Sequence, residues 1–305
     1  MEIREAINEV FIEGVLKEKA LELATIDTEQ GKADVIRGDL VIATDENSEH
    51  RVRVFANKLT KEKKENSVYK GLVTVMNEYV SIAEALKNGG TAEDASKVRV
   101  SKGKLGLNEY YAPNGELKSF PTIQTNFVNR VDKNYSPKAE FTLEAYFEGM
   151  KPEMKDEEET GRLVVNVIVP LYGGKVIPLT LIAADEDVAQ YLYTNYETKK
   201  TSKIWGELVN TVEVTRTEEK GFGKSKEKVI TRTLHELLIT GGEEDMYDDE
   251  DEKSYSTDLI KKAMAERDIQ LDKMLQDSKK DGNKSSSNGK SGFGKGTEKK
   301  KELNF

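Results

Sequence analysis

The spacing of apolar residues along residues 1–131 predicts five strands around one helix. In residues 50–56 apolar and polar side chains alternate, with valines on one face and two arginines and a phenylalanine on the other, which is typical of a strand with one buried face. In residues 67–87 the apolar spacing becomes three and four residues, which indicates an amphipathic helix. A glycine within residues 37–39 predicts a bulge in the second strand. The predicted elements are strands 8–16, 35–44 and 50–56, helix 67–87, and strands 97–107 and 117–131.

Residues 132–242 repeat this order of elements. The turn at residues 171–174 joins two apolar strands into a hairpin, and Asp185 can cap a short helix that ends near residue 196. The predicted strands are 139–150, 162–170, 175–184, 203–217 and 228–240. Two successive blocks with one element order indicate a structural duplication.

Five strands with a helix between the third and the fourth form the order of the OB-fold, a small Greek-key barrel. The sequence therefore predicts a mainly β fold with two tandem OB-fold-like five-stranded barrels, at residues 1–131 and 132–242. Another small barrel or sandwich with an inserted helix would have the same element order.

Residues 243–305 differ in composition from both blocks. Residues 243–252 carry eight acidic and no basic side chains. Residues 254–280 have a broken helical stripe, and residues 281–305 are rich in glycine, serine, asparagine and lysine, as flexible linkers are. We expect this segment to lie outside the barrels, as an acidic run, a short helix and a flexible, partly disordered tail.

Charge and composition exclude several classes of site. The 305-residue chain has a formal net charge of −9, almost all of it in residues 243–252, so a polyanion-binding surface must come from local clusters of cations. Cysteine is absent, which excludes thiolate metal sites and cysteine nucleophiles. His50 and His235 are the only histidines, too few for a histidine-rich metal centre. No segment approaches the ~20 apolar residues of a membrane span. The first residues also lack the apolar core of a signal peptide, so we expect a cytoplasmic protein.

No catalytic motif stands out in the sequence. The carboxylates of residues 156–159 have no partner at metal-ligand spacing, and serine and threonine have no histidine relay. Residues 220–226 are not a P-loop, because position 218, where that motif needs glycine, is Glu218. We expect no enzymatic activity, cofactor, metal ion or small-molecule substrate.

The first block carries the cations and rings with which an OB-fold can bind single-stranded nucleic acid. β-strands 2 and 3 of OB-folds commonly bind single-stranded nucleic acid. Cations contact the phosphates, and aromatic rings stack on the bases. A solvated edge whose lysines oppose aggregation is the alternative interpretation. The candidate residues are Arg51, Arg53, Phe55, Lys58, Lys97, Arg99, Lys102, Lys104, Tyr110 and Tyr111.

The second block offers a second candidate set. Residues 220–226 place a phenylalanine between glycines and lysines on the loop before the last strand, which is one of the two OB loops that clamp oligonucleotides. A single tryptophan is more often buried than available for stacking, which is the alternative for Trp205. The candidates at predicted outer positions and on this loop are Tyr146, Tyr172, Lys175, Lys203, Trp205, Phe222 and Lys224.

The segment Asn8-x-Val10-x-x-x-Gly14-x-Leu16 resembles the first strand of bacterial single-stranded DNA-binding proteins. Two tandem blocks, an acidic segment and a Gly/Ser tail resemble bacteriophage-type single-stranded DNA-binding proteins. This resemblance implies a protein that coats and protects single-stranded DNA without sequence specificity in replication, recombination and repair, in the host cytoplasm if phage-encoded. It also implies that the acidic segment competes with DNA and that the C-terminal region binds replication or recombination proteins.

The C-terminus departs from the bacterial family, which ends in an acidic tip with Pro-Phe, because residues 299–305 are KKKELNF. Three other interpretations stay open: an RNA-binding or RNA-chaperone protein, an all-β virion structural or assembly protein, and a nuclease that uses residues 156–159 with Mg²⁺. Comparing the binding of DNA and of RNA of the same sequence distinguishes an RNA-binding protein from a DNA-binding one, because contacts to the 2′-hydroxyl are possible only with RNA.

Overall fold

The computed structural model describes residues 3–28, 31–219 and 226–285, and describes side chains for residues 3–28, 31–211 and 233–277. Over these ranges the chain is mainly β, as predicted, and eleven strands belong to one sheet. No helix in the described ranges is both long enough and apolar enough to cross a membrane.

The first five strands are β1 (Asn8–Thr28), β2 (Gly31–Ala43), β3 (Glu49–Asn57), β4 (Lys97–Tyr111) and β5 (Leu117–Gln124). Antiparallel ladders join β1 to β2, β2 to β3, β4 to β5 and β1 to β4, and a short parallel ladder joins β3 to β5. These ladders form a circuit, which we call the first ring. The short strand β6 (Val128–Arg130) pairs with β4 outside it.

The next five strands are β7 (Lys138–Lys155), β8 (Glu158–Pro170), β9 (Val176–Ala183), β10 (Thr201–Glu219) and β11 (Lys226–Gly242). Antiparallel ladders join β7 to β8, β8 to β9, β10 to β11 and β7 to β10. One parallel pair, Leu238 with Ile182, links β11 to β9 and completes a second circuit, the second ring. A ladder of β1 with β7 joins the two rings.

Helices occupy the predicted position between the third and fourth strands of each ring. The helices are α1 (Ser67–Glu78), α2 (Ile82–Lys87), α3 (Glu186–Asn195) and α4 (Thr257–Ser285). The prediction of one helix over residues 67–87 was wrong, because Ser81 starts α2 with a capping box shared with Glu84. Lys19 donates to the carbonyls of Met76 and Tyr79, which satisfies backbone acceptors at the break.

Alternate strand residues fill the interior of both rings. In the first ring, Ile36, Leu40 and Val52 are fully buried beneath Leu72 and Val75 of α1. The second ring buries Phe141, Phe147, Val165, Val167, Leu179 and Leu181. This packing explains why the period-two pattern predicted these strands, since one face of each strand must leave water.

The predicted bulge at residues 37–39 was wrong. β2 pairs with both neighbours there without a register shift, and the irregularity lies in β1 between Leu16 and Glu18. Gly38 has φ +145°, and any Cβ at this position would lie 2.0 Å from the Ala20 carbonyl oxygen. The glycine therefore permits close approach of β1 and β2.

Two buried carboxylates stabilise the junction of the rings. Glu13 on β1 is 2% exposed and accepts hydrogen bonds from Arg99 Nε at 2.6 Å and the Ser136 amide at 2.7 Å. On β7, Glu144 accepts from the Arg4 guanidinium and the Ile7 amide. Burial opposes ionisation of Glu13, but its hydrogen bonds with Arg99 and Ser136 outweigh burial and lower its pKa.

Residues 243–277 are not external to the fold, contrary to expectation. The Tyr247 amide donates to the Thr201 carbonyl, and Tyr255, Ile260 and Ala263 belong to the hydrophobic core. The acidic run therefore leads into a 29-residue helix that packs on the rings, not into a short one. Acidic residues did not prevent this because the tyrosines and aliphatic residues between and after them supply the buried face.

Candidate nucleic-acid interface

The outer surface of β3 presents the predicted cations and ring. Arg51, Arg53 and Phe55 are exposed, while Val52 and Val54 between them are buried. This alternation of faces was predicted and is confirmed. A strand whose interior is apolar can hold two guanidinium groups and an aromatic ring toward solvent without loss of core packing.

Strand register adds charged neighbours from β2 to this surface. Arg37 lies opposite Phe55, and Asp39 lies opposite Arg53. The Asp39 carboxylate is 3.3 Å from Arg51 and 3.5 Å from Arg53. Asp39 therefore holds both arginines over one patch, and one carboxylate offsets only one of the two charges.

A shallow trough crosses β1, β2 and β3 at this point. Its lining residues from β2 and β3 include Arg37, Gly38, Asp39, Arg53 and Phe55. We call these residues with Arg51 the β2–β3 face. A trough with a flat ring on one side and a guanidinium on the other can hold a planar base beside a phosphate.

Lys58 lies just beyond β3, where its ammonium is 3.1 Å from the Asp34 carboxylate. Hydrogen bonds from Lys58 and Thr25 lower the pKa of Asp34. Lys58 is thus near the β2–β3 face, but its charge is partly balanced.

The four predicted cations on β4 have different surroundings. Lys97 lies 4.9 Å from the centroid of the Tyr135 ring, and Lys102 lies 5.2 Å from that of Phe127. Lys104 pairs with Glu5 at 2.6 Å. Arg99 is bound to the buried Glu13, so its first role in this fold is to neutralise that carboxylate.

The β4–β5 hairpin carries the predicted tyrosines. Tyr110 is exposed and stacks on Phe120, with ring centroids 6.4 Å apart and an interplanar angle of 30°. Tyr111 is half-buried. An exposed pair of stacked rings at a hairpin is a possible platform for a base, although the hairpin lies beyond the register positions of Arg53 and Phe55.

The candidates of the second ring do not gather on one strand face. Tyr146 was predicted to point outward, but it is 4% exposed and its hydroxyl is 3.0 Å from that of Thr257 on α4. This prediction was wrong because α4 covers the position. Trp205 is 40% exposed and lies over Gly241, and Lys203 pairs with Glu243 at 2.7 Å.

Tyr172 and Lys175 line a cleft between the two rings. Tyr172 is 81% exposed, and the cleft also contains Lys104 from β4 and Arg267 from α4. Arg267 forms an ion pair with Glu109 of β4. The structure therefore brings Lys104, Tyr172 and Lys175 together, apart from the β2–β3 face. Phe222 and Lys224 lie outside the described residues.

The β8–β9 surface occupies the position in the second ring that the β2–β3 face occupies in the first. Val164, Asn166 and Thr180 point outward there, and the Thr180 hydroxyl donates to Asn166 Oδ1 at 3.0 Å. We call these three residues with Pro178 the β8–β9 face. Arg162 lies at its end, paired with Glu153 and Glu236. This face has no aromatic ring among its four residues.

The carboxylates of residues 156–159 belong to the β7–β8 hairpin. Asp156 and Glu157 form its turn with φ of 52° and 71°, and Glu158 pairs with Lys155 in the ladder. Within the described ranges, no group of histidine, aspartate and glutamate side chains could hold a metal ion.

Sequence reasoning missed three residues near the candidate surfaces. Arg37 was assigned to a bulge, and Phe120 and Phe127 were assigned to one long strand without a face. Arg37 pairs with Phe55 across the β2–β3 ladder. The predicted long strand is interrupted between Gln124 and Val128, so Phe120 lies in β5 and Phe127 lies between β5 and β6. The signal in the sequence was Asn126 before Phe127, because asparagine favours turns.

Comparisons with known proteins give a family and remote structural likenesses. A family model described as YorF matches residues 6–280. No protein with a curated description matches. Among solved structures, a deletion mutant of the single-stranded DNA binding protein from Thermus aquaticus is similar at 15% identity and a TM-score of 0.41, covering 81% of this chain and 98% of that one.

Proposed function

We propose that this chain, which belongs to the YorF family, is a non-catalytic protein that binds single-stranded DNA on its β2–β3 face. In this proposal each ring is an OB-fold, with domains at residues 1–131 and 132–242. The bound strand is protected without sequence specificity during replication or recombination.

One observation carries the proposal. Arg51, Arg53 and Phe55 project from one strand face on a rigid apolar interior, and Arg37 joins them from the next strand. Cations bind any phosphodiester backbone, and a phenylalanine ring stacks on any base. Together they favour a single strand, because the bases of a duplex are already stacked on one another.

The ladder order supports the OB-fold assignment. Each ring pairs its first strand with its second and fourth, its second with its third, and its third with its fifth in parallel. A helix lies between the third and fourth strands of each. Five strands in a Greek-key barrel with that connection are the architecture that binds oligonucleotides on strands 2 and 3.

The exposed carboxylates of residues 248–252 are the surface that we propose for protein partners in replication or recombination. They follow Tyr247, whose amide is bonded to β10, so the run starts from a fixed point. Carboxylates in such a position can recruit basic partner surfaces and disfavour DNA nearby.

Fluorescence anisotropy of labelled oligo(dT), a duplex and an RNA of matched length tests the function. We expect tight binding of oligo(dT), weaker binding of duplex, and log K that falls with log salt by ~0.7 per phosphate contact. Preference for duplex, or affinity independent of salt, would overturn the proposal. Preference for RNA would assign the protein to RNA instead.

A further inference from the structure

Phe127 presents an open aromatic ring beside the β2–β3 face. It lies between β5 and β6 and is 43% exposed, the same fraction as Phe55. The ammonium of Lys102 lies 5.2 Å from its ring centroid. An exposed ring can stack on a nucleic-acid base, and an ammonium beside it can contact the phosphate of the same strand.

The segment that carries Phe127 is fixed to β3 and β4. The Thr125 amide donates to the Arg53 carbonyl at 3.0 Å, and its hydroxyl donates to the Lys102 carbonyl at 3.2 Å. The same hydroxyl accepts from the Phe127 amide at 3.1 Å. Because Thr125 is buried, these bonds hold Phe127 in one place next to the strand that carries Arg53 and Phe55.

Asn126 completes the connection to the β2–β3 face. Its side-chain amide is within hydrogen-bonding distance of the Phe55 backbone. Phe55 and Phe127 therefore flank a single asparagine, with Arg53 on one side and Lys102 on the other. The backbone segments that carry the two ring-and-cation pairs are therefore adjacent, although they come from distant parts of the sequence.

The charge of Lys102 is less compensated than the charges on β3. Arg51 and Arg53 share Asp39, and Arg37 pairs with Glu22 at 2.7 Å. Among the described residues, no carboxylate lies within the 4.0 Å ion-pair distance of the Lys102 ammonium. A phosphate can therefore approach Lys102 without displacing a carboxylate.

We propose that Phe127 and Lys102 form a second contact point for single-stranded DNA, at which the ring stacks on a base and the ammonium contacts a phosphate. The strand then runs from the β2–β3 face across residues 124–127 toward β4. This inference rests on the proposed function, since it extends the same site, and it assigns binding roles to residues outside the β2–β3 strand pair.

Titration of labelled oligo(dT) with four full-length variants at several salt concentrations tests this path. Phe127→Ala should weaken binding about 5- to 150-fold with an unchanged salt slope, and Phe127→Tyr, which keeps the ring, should bind like wild type. Lys102→Ala should reduce the salt slope by ~0.7. Tyr193→Ala removes a more exposed ring on α3 and should bind like wild type.

The outcomes separate this inference from the function on which it rests. If Phe55→Ala weakens binding but Phe127→Ala and Lys102→Ala do not, the second contact point is wrong and the proposed function stands. If wild type does not bind oligo(dT), the proposed function itself is wrong. Thermal unfolding checks that each variant folds, and if Phe127→Ala does not fold, the salt slope of Lys102→Ala decides the question.

Discussion

The two rings share one ladder order but differ in what their equivalent faces present to solvent. The β2–β3 face exposes Arg37, Arg51, Arg53 and Phe55, with Asp39 between two of the arginines. On the β8–β9 face Thr180 is exposed, while Val164, Asn166 and Pro178 are half-buried, and one hydrogen bond joins Asn166 to Thr180.

The shared ladder order therefore does not determine the chemistry of the outward faces. Both interiors are apolar and buried, so core packing places no demand on the outward residues. The cations and the phenylalanine on one face, and the neutral residues on the other, are not required by the architecture that the two rings share. We therefore propose that the first ring binds the DNA and that the second ring has a supporting role.

The largest expected effect separates interior from exterior phenylalanines. Phe147 is fully buried in the second ring, whereas Phe55 is 43% exposed. Phe147→Ala should lower the free energy of unfolding by about 3–5 kcal/mol because it leaves a cavity, and Phe55→Ala by about 1 kcal/mol or less. Urea unfolding measures both, and equal losses would show that Phe55 is a core residue.

A histidine distinguishes the rings in their response to acid. His50 in the first ring is buried, and burial lowers its pKa from 6.5 to about 4, while His235 in the second ring is exposed. Below pH 6.5 the unfolded chain binds a proton that folded His50 does not, so stability falls as the pH drops toward 4. The loss should reach about 3 kcal/mol.

Unfolding of wild type and His50→Gln by urea between pH 7 and pH 4 measures this effect. Other groups titrate in the same range, so the difference between the two pH profiles isolates His50. His235→Gln, which changes an exposed histidine of the second ring, is the matched control substitution. Parallel profiles for wild type and His50→Gln would show that folding does not lower the pKa of His50.

A smaller effect is expected on DNA affinity when an aromatic side chain is removed from either ring. Phe55→Ala should lose about 1–3 kcal/mol of oligo(dT) affinity if its ring stacks on a base. Trp205→Ala removes an exposed indole from the second ring and should lose less than about 0.5 kcal/mol of oligo(dT) affinity. Anisotropy titration gives both values, and a larger loss for Trp205→Ala would move the binding surface to the second ring.

The smallest expected effect is on salt dependence. Arg51→Ala and Arg53→Ala should each reduce the slope of log K against log salt by ~0.7, one phosphate contact each. Arg162→Ala at the end of the β8–β9 face should not change the slope. An unchanged slope for both first-ring variants would mean that Asp39 already neutralises these arginines.

Local patterns in the sequence predicted much of the fold. The alternation at residues 50–56 identified β3 and its exposed face, and the spacing of Leu72 and Val75 identified α1. Both signals work because burial of one face recurs with the period of the element itself. The element order of the two blocks followed from the same signals.

What the sequence did not predict depends on contacts between distant residues. Tyr146 is buried by α4, which comes more than 100 positions later, and Glu13 is neutralised by Arg99 from another strand. The position of Phe127 next to Phe55 depends on one threonine that bonds to two strands. These contacts join residues that are far apart in the sequence, so local patterns of apolar and polar residues do not predict them.

The most direct test of the central claim replaces each face in turn. Oligo(dT) binding is measured for wild type, for Arg51→Ala/Arg53→Ala/Phe55→Ala on the β2–β3 face, and for Val164→Ala/Asn166→Ala/Thr180→Ala on the β8–β9 face, after unfolding confirms that both variants fold. We expect a loss of at least about tenfold for the first variant and affinity within about twofold of wild type for the second. Equal losses, or a loss confined to the β8–β9 variant, would contradict it.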